Sequence, residues 1–162
     1  MSFRGSSRPR TASPASSSLA GPADLTVDTY RVAGGIHVTM RQLQWWDERH
    51  VVQPRMSGHR RLYAVEDVMR VAAVAALREK GLSLQAIRKA LPKIGTQLET
   101  CDIMAGTDAF IMVAAGGRLV EVSAHIGIVG RAAIAAKGAV YMATVGPEIR
   151  AIFAEDPPRR RR

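Results

Sequence analysis

Arg41, Gln44, Trp45 and Glu48 recur at i, i+3, i+4 and i+7, the spacing that gathers side chains on one face of a helix. A tryptophan among groups that prefer water is poorly placed for burial. Its ring can instead lie against a sugar–phosphate surface, with the indole N–H donating to a phosphate oxygen. A second group follows within a few residues: Arg55, His59, Arg60 and Arg61 flank Ser57-Gly58. A charge cluster is commonly only a solvated face, but one set beside a polar helical face has the character of a polyanion surface.

The elements that must position these groups can be read from caps and apolar spacing. Asp28 can cap a short helix to about Ile36, with Val32, Ala33 and Ile36 on one face and a break from Gly34-Gly35 to His37. Ala33 is small enough to let the next helix cross closely. Thr39 caps that second helix, residues 40–49, whose other face carries Leu43, Trp46 and Asp47. Trp46 is thereby assigned to a core with Leu43 and Val38, the alternative being that both tryptophans are buried. "VVQPRMSGHRRLY", residues 51–63, reads as a β-hairpin turning at Ser57-Gly58. Gly81 can end a third helix in the left-handed region, and Ser83 caps a fourth lined by Leu84, Ile87 and Leu91.

With 162 residues, 47% of them apolar and 23% charged, the chain has material for one ordinary domain or two very small ones. No apolar run approaches the length of a bilayer span, so no membrane partner is expected. The single cysteine, Cys101, cannot form an internal disulfide, which fits a reducing cytoplasm. The net charge of +9 is unevenly spread: residues 27–92 hold eleven Lys/Arg against six Asp/Glu, residues 93–158 hold five against seven, and Arg159–Arg162 adds four. Residues 1–26, rich in Ser, Pro and Arg and without apolar periodicity, are expected to form a disordered arm, and residues 155–162 a basic tail. A secretory signal would need an apolar segment that the arm lacks.

Five successive runs, "VTMRQLQWWD", "HVVQP", "GHRRLY", "AVEDVMRV" and "LREKGLSLQAIRKAL", resemble in order and spacing the MerR-type winged helix-turn-helix transcriptional regulators. The resemblance covers residues 27–91. It implies that Arg41 reaches base edges, that Trp45 and Trp46 pack and touch phosphate where most members have tyrosines, that Arg61 grips the DNA backbone and that Tyr63 is the wing tyrosine. His37 stands where the usual turn glycine would be. The candidate DNA-contacting set is Thr39, Arg41, Gln42, Gln44 and Trp45 on the second helix, with Arg55, His59, Arg60, Arg61 and Tyr63 on the wing. The implied partners are double-stranded DNA, a second copy of the chain and RNA polymerase, in a bacterial cytoplasm and nucleoid.

Beyond Leu91 the chain departs from the family, whose members continue into a long pairing helix. Pro92 and Gly95 interrupt that helix here, and residues 93–107 read as a linker. "DAFIMV" and "RLVEV" flank "AAGG" as a hairpin, "SAHIGIVGRAAIAAKG" is a weak helix, "AVYMATV" a buried strand, and Gly146-Pro147-Glu148 opens a terminal helix. The fold class expected is α+β: a winged helix-turn-helix domain over 27–92 followed by a small ββαβα module over 108–154, for dimerisation or sensing. His37, His50, His59 and His125 are scattered, so no metal, cofactor or catalytic constellation is expected, and Cys101 reads as an inert buried thiol. Three readings remain open: a regulator binding a dyad-symmetric promoter site as a dimer, an architectural or excisionase-like DNA binder with the same winged fold, and a ligand-binding or enzymatic module with DNA binding attached.

Overall fold

The computed structural model of the chain describes residues 25–114, 118–136 and 140–154. Most of the expected arm, up to residue 24, and the basic tail from 155 lie outside the described residues. A short strand, β1 (Thr26–Asp28), leads into α1 (Thr29–Ile36), where Asp28 caps the helix by accepting from the Arg31 N–H at 3.0 Å. Thr26, expected in the arm, therefore belongs to a strand. Three residues are too few for a sequence to show alternation, and the pairing of Val27 with Tyr63 that defines β1 is long-range.

The first helix passes through both Gly34 and Gly35 and stops at His37, whose φ of 57° lies in the left-handed region. Histidine tolerates that region better than branched residues, at about 1 kcal/mol more than glycine. Thr39 then opens α2 (Met40–Glu48) with a reciprocal capping box: its hydroxyl accepts from the Gln42 N–H at 3.1 Å, and the Gln42 side-chain carbonyl accepts from the Thr39 N–H at 2.8 Å.

The strands β2 (Arg55–Ser57) and β3 (Arg60–Ala64) form a hairpin turning at Gly58, φ 60°, and β3 also pairs with β1, giving a three-stranded sheet in the order β1-β3-β2. The third helix, α3 (Val65–Glu79), follows at once, the Asp67 carboxylate accepting from the Ala64 N–H at 3.1 Å, and Gly81 at φ 87° makes the turn after it. Ser83 caps α4 (Leu84–Glu99), accepting from the Ala86 N–H at 3.1 Å.

Here the structure corrects the sequence reading, because α4 runs on through Pro92 and Gly95 where a linker was expected. Proline removes one backbone donor and crowds the preceding turn, but Pro92 is exposed, while Ile94, Gly95 and Leu98 are buried beyond it. Their burial outweighs the lost bond. At 16 residues, α4 is still short for a pairing coiled coil.

The remaining elements are β4 (Ala109–Ala114), β5 (Arg118–Ser123), α5 (Ile126–Ala135), β6 (Val140–Val145) and α6 (Pro147–Ala154), with the strands antiparallel in the order β5-β4-β6. Ile111 and Val113 turn toward a core shared with Val32, Leu43, Trp46, Val71, Leu77, Ile149 and Ile152. That core is continuous from α1 to α6. Its tightest crossing is at Gly35, where a Cβ would collide with Ile152, and the Arg31 guanidinium donates to the Ile152 carbonyl at 2.6 Å. Arg150 ties the same region down, donating to Asp108 at 2.9 Å and to the Ile103 carbonyl at 3.1 Å. One expectation fails in this half: β6, read as a buried strand, lies at the sheet edge with Tyr141, Met142 and Thr144 exposed.

Candidate nucleic-acid interface

The second helix is two-sided because Leu43 and Trp46, three apart, share one face while the polar residues occupy the rest. Leu43 and Trp46 are 2% exposed and face the core, leaving Arg41, Gln42, Gln44, Trp45 and Glu48 toward solvent. Thr39, Arg41, Gln42, Gln44, Trp45 and Glu48 line one shallow concavity over that face. Trp45 is 38% exposed, against the 2% of its neighbour. Adjacent tryptophans thus end up in opposite environments, since successive residues of a helix point about 100° apart.

Two contacts organise the exposed face. The Arg49 guanidinium lies over the Trp45 ring, 5.1 Å from its centroid, a cation–π arrangement that sets a positive charge beside the ring. Sequence reading missed Arg49. Its i+4 spacing from Trp45 was the available signal. The Gln44 amide donates to the Glu48 carboxylate at 2.9 Å, which orients the amide along the helix. Thr39 and Gln42 spend their side-chain oxygens on the cap, so in this arrangement they fix where α2 begins.

On the hairpin, Arg55, His59 and Arg60 are exposed around the turn. Arg60 reaches Asp28 only at 3.8 Å with its side chain 74% exposed, a contact worth little in water. Arg61 is different. Its Nε donates to Asp47 at 2.8 Å, with both side chains mostly covered, and this bond joins β3 to the end of α2. The Asp47 carboxylate raises the affinity of the Arg61 guanidinium for its proton. Arg61 therefore sets the angle between hairpin and helix.

Tyr63 is a correction. Expected at the DNA surface, it is 1% exposed, and its ring belongs to the core beneath β3. Its hydroxyl sits in the neighbourhood of Thr29 without a hydrogen bond of good geometry, and burial pushes the phenol above its ordinary range. A phenol so enclosed cannot touch a backbone phosphate.

Two helices joined by a tight left-handed turn, the second with a cationic and amide-bearing outer face, followed by a basic hairpin, define a helix-turn-helix unit. Residues 31–94 match the model of the MerR HTH family of regulatory proteins, and this segment is a MerR-type helix-turn-helix. The match spans α1 through the middle of α4 and leaves β4 to α6 outside it. No curated protein matches the chain. Among the described residues no helix is long and apolar enough to cross a membrane, and no group of His, Cys, Asp or Glu is assembled to hold a metal ion.

Proposed function

We propose that this protein is a DNA-binding transcription regulator that lays α2 in the major groove of a dyad-symmetric promoter site and runs the β2–β3 hairpin, as a wing, along the flanking backbone. The observation that carries this reading is the Arg61–Asp47 bond, which holds the exposed face of α2 at a fixed angle to the basic hairpin inside the segment that matches the family.

Roles follow from exposure and chemistry. Arg41 and Gln44 present a guanidinium fork and an amide, the groups that pair two-pronged with guanine and adenine edges. Trp45 lies against the sugar–phosphate chain with Arg49 neutralising charge beside it. Arg55, His59 and Arg60 meet phosphates without reading sequence. Thr39, Gln42 and Arg61 position these groups.

Binding-site selection from random duplex DNA tests the proposal. It predicts an enriched motif with two inverted half-sites, because a single unit reads too few bases for a promoter-specific site. A single asymmetric half-site, or bending without an enriched motif, would favour the architectural, excisionase-like reading instead.

A further inference from the structure

A cleft of about 670 Å³ opens where the helix-turn-helix meets the C-terminal half, between the turn after α1, the second half of α3 and the corner from β6 into α6. Its floor is one face of α3. Ala72, Ala75, Ala76 and Glu79 stand there at i, i+3, i+4 and i+7, and the three alanines are half-buried. Ile36 and Val38 from the turn and Ala143 from β6 wall it in. A hollow of this size, apolar below and polar at its rim, is of the kind that holds small molecules. Of the residues lining it, only Gln42 also lines the concavity over the outer face of α2.

Charge in the cleft runs against the charge of the chain. On a protein of net charge +9, the rim carries Glu79 at the end of α3 and Glu148 in the first turn of α6, both exposed and neither in an ion pair among the described residues. Arg78 lines the cleft too, but its guanidinium donates to the Leu82 carbonyl at 2.8 Å, which holds it along its own helix end. Lys80 lies over the Tyr141 ring, 5.9 Å from the centroid. Both nearby cations are thus engaged elsewhere than at the two carboxylates.

The carboxylates belong to opposite ends of the groove. Glu79 adjoins Lys80, which is level with Tyr141 near the start of β6, whereas Glu148 follows the far end of that strand and shares a second hollow with His37, Gly34 and Gly35. Seven helical steps, at about 1.5 Å each, set Glu79 about 10 Å along α3 from Ala72. An acid toward each end with methyl groups between them matches a methylene chain bearing an ammonium at each terminus.

We propose that this cleft binds an aliphatic diamine or longer polyamine, with its terminal ammonium groups at Glu79 and Glu148 and its methylenes over Ala72, Ala75 and Ala76. An ammonium is a donor with nothing to accept, and the Thr144 hydroxyl on the same lining supplies a further acceptor. Other occupants fit less well. An anion would meet two unpaired carboxylates, an aromatic cation would find Trp46 only 2% exposed for stacking, and among the described residues no group of His, Cys, Asp or Glu is assembled for a metal ion. The proposal does not rest on the DNA-binding reading, and its test is made without DNA.

Calorimetric titration of the full chain with hexamethylenediamine at low salt tests it. Saturable binding is expected, with hexylamine, the same chain less one ammonium, at least about fivefold weaker, and with affinity falling as salt is added. Glu79→Gln and Glu148→Gln should each weaken diamine binding about three- to tenfold and narrow its lead over hexylamine, without moving the melting curve. Glu66→Gln, exposed in the first turn of α3 but outside the cleft, should change nothing. No binding at millimolar diamine overturns the proposal, as do equal binding of hexylamine, tighter binding of benzyltrimethylammonium, or indifference to both cleft substitutions. A loss on Glu66→Gln as large as on the other two would reduce the effect to bulk charge and overturn it as well. Any of these results leaves the DNA reading untouched.

Discussion

The two three-stranded sheets use antiparallel pairing for opposite ends. In the first, strands of three, five and three residues carry Arg55, Arg60 and Arg61, and β2 is exposed throughout. Only Val27, Tyr63 and Ala64 reach the core. In the second, three six-residue strands bury Ala109, Ile111, Met112, Val113, Val122 and Val145. A sheet as small as the first cannot support itself, and it is held by α1, α3 and the Arg61–Asp47 bond. It is free to present charge because little of its surface is needed for stability. The second supplies core to the whole chain and can present only an edge. Perturbing the first should therefore change binding, and perturbing the second should change stability or association.

The largest effect expected is on DNA affinity. Arg41→Ala, Arg55→Ala and Arg60→Ala together should lower duplex affinity at about 0.1 M salt by roughly 10³-fold or more, from lost phosphate neutralisation, while the melting temperature hardly moves. A melting temperature that fell in step with affinity would break the contrast between the sheets.

Next come the adjacent tryptophans. Trp46→Ala should cost about 3–5 kcal/mol in denaturant unfolding by opening a core cavity, whereas Trp45→Ala should cost about 0.5 kcal/mol and weaken binding to all sequences alike. Equal destabilisation by both would place Trp45 in the core.

Ile152→Ala should cost about 2–4 kcal/mol, although it is more than a hundred residues from the Gly35 surface it covers. This sharpens the comparison, because it treats the helix-turn-helix as completed by α6. A fragment ending at residue 92 should accordingly melt well below the full chain.

The smallest effect is at Cys101, buried with its thiol directed to the Gln97 carbonyl at 3.2 Å. Burial pushes the thiol's pKa up, so less thiolate is present at neutral pH than in a free cysteine. Alkylation should be slower than for a free thiol and rise with pH beyond the range where a free thiol has already levelled off. Fast alkylation at pH 7 would show that the α4 end opens readily.

Local chemistry made part of this structure legible in the sequence. Asp28, Thr39 and Ser83 as caps, Gly81 as a left-handed turn, the split between Trp45 and Trp46, and the hairpin at Gly58 each depend on residues within a few positions of one another. What escaped depends on distant partners. The strand β1 exists because Tyr63 and its neighbours are there to pair with. The fourth helix survives Pro92 because Ile94 and Leu98 have a core to enter, and Tyr63 looked like a surface phenol until α1 and α3 were packed around it. Arg61 was expected to grip the DNA backbone, and its bond to Asp47, fourteen residues away, is a feature the sequence did not show.

The central claim is that the outer face of α2 and the hairpin tip form one DNA-binding surface, and equilibrium binding to the selected duplex across a salt series tests it most directly. With Arg41, Arg55 and Arg60 from each of two copies neutralising about six phosphates, log affinity should fall against log salt with a slope of about −5, and the triple alanine variant should lose most of that slope. A wild-type slope shallower than about −2, or a triple variant with the wild-type slope, would contradict the claim and place the DNA, if it binds at all, on another surface.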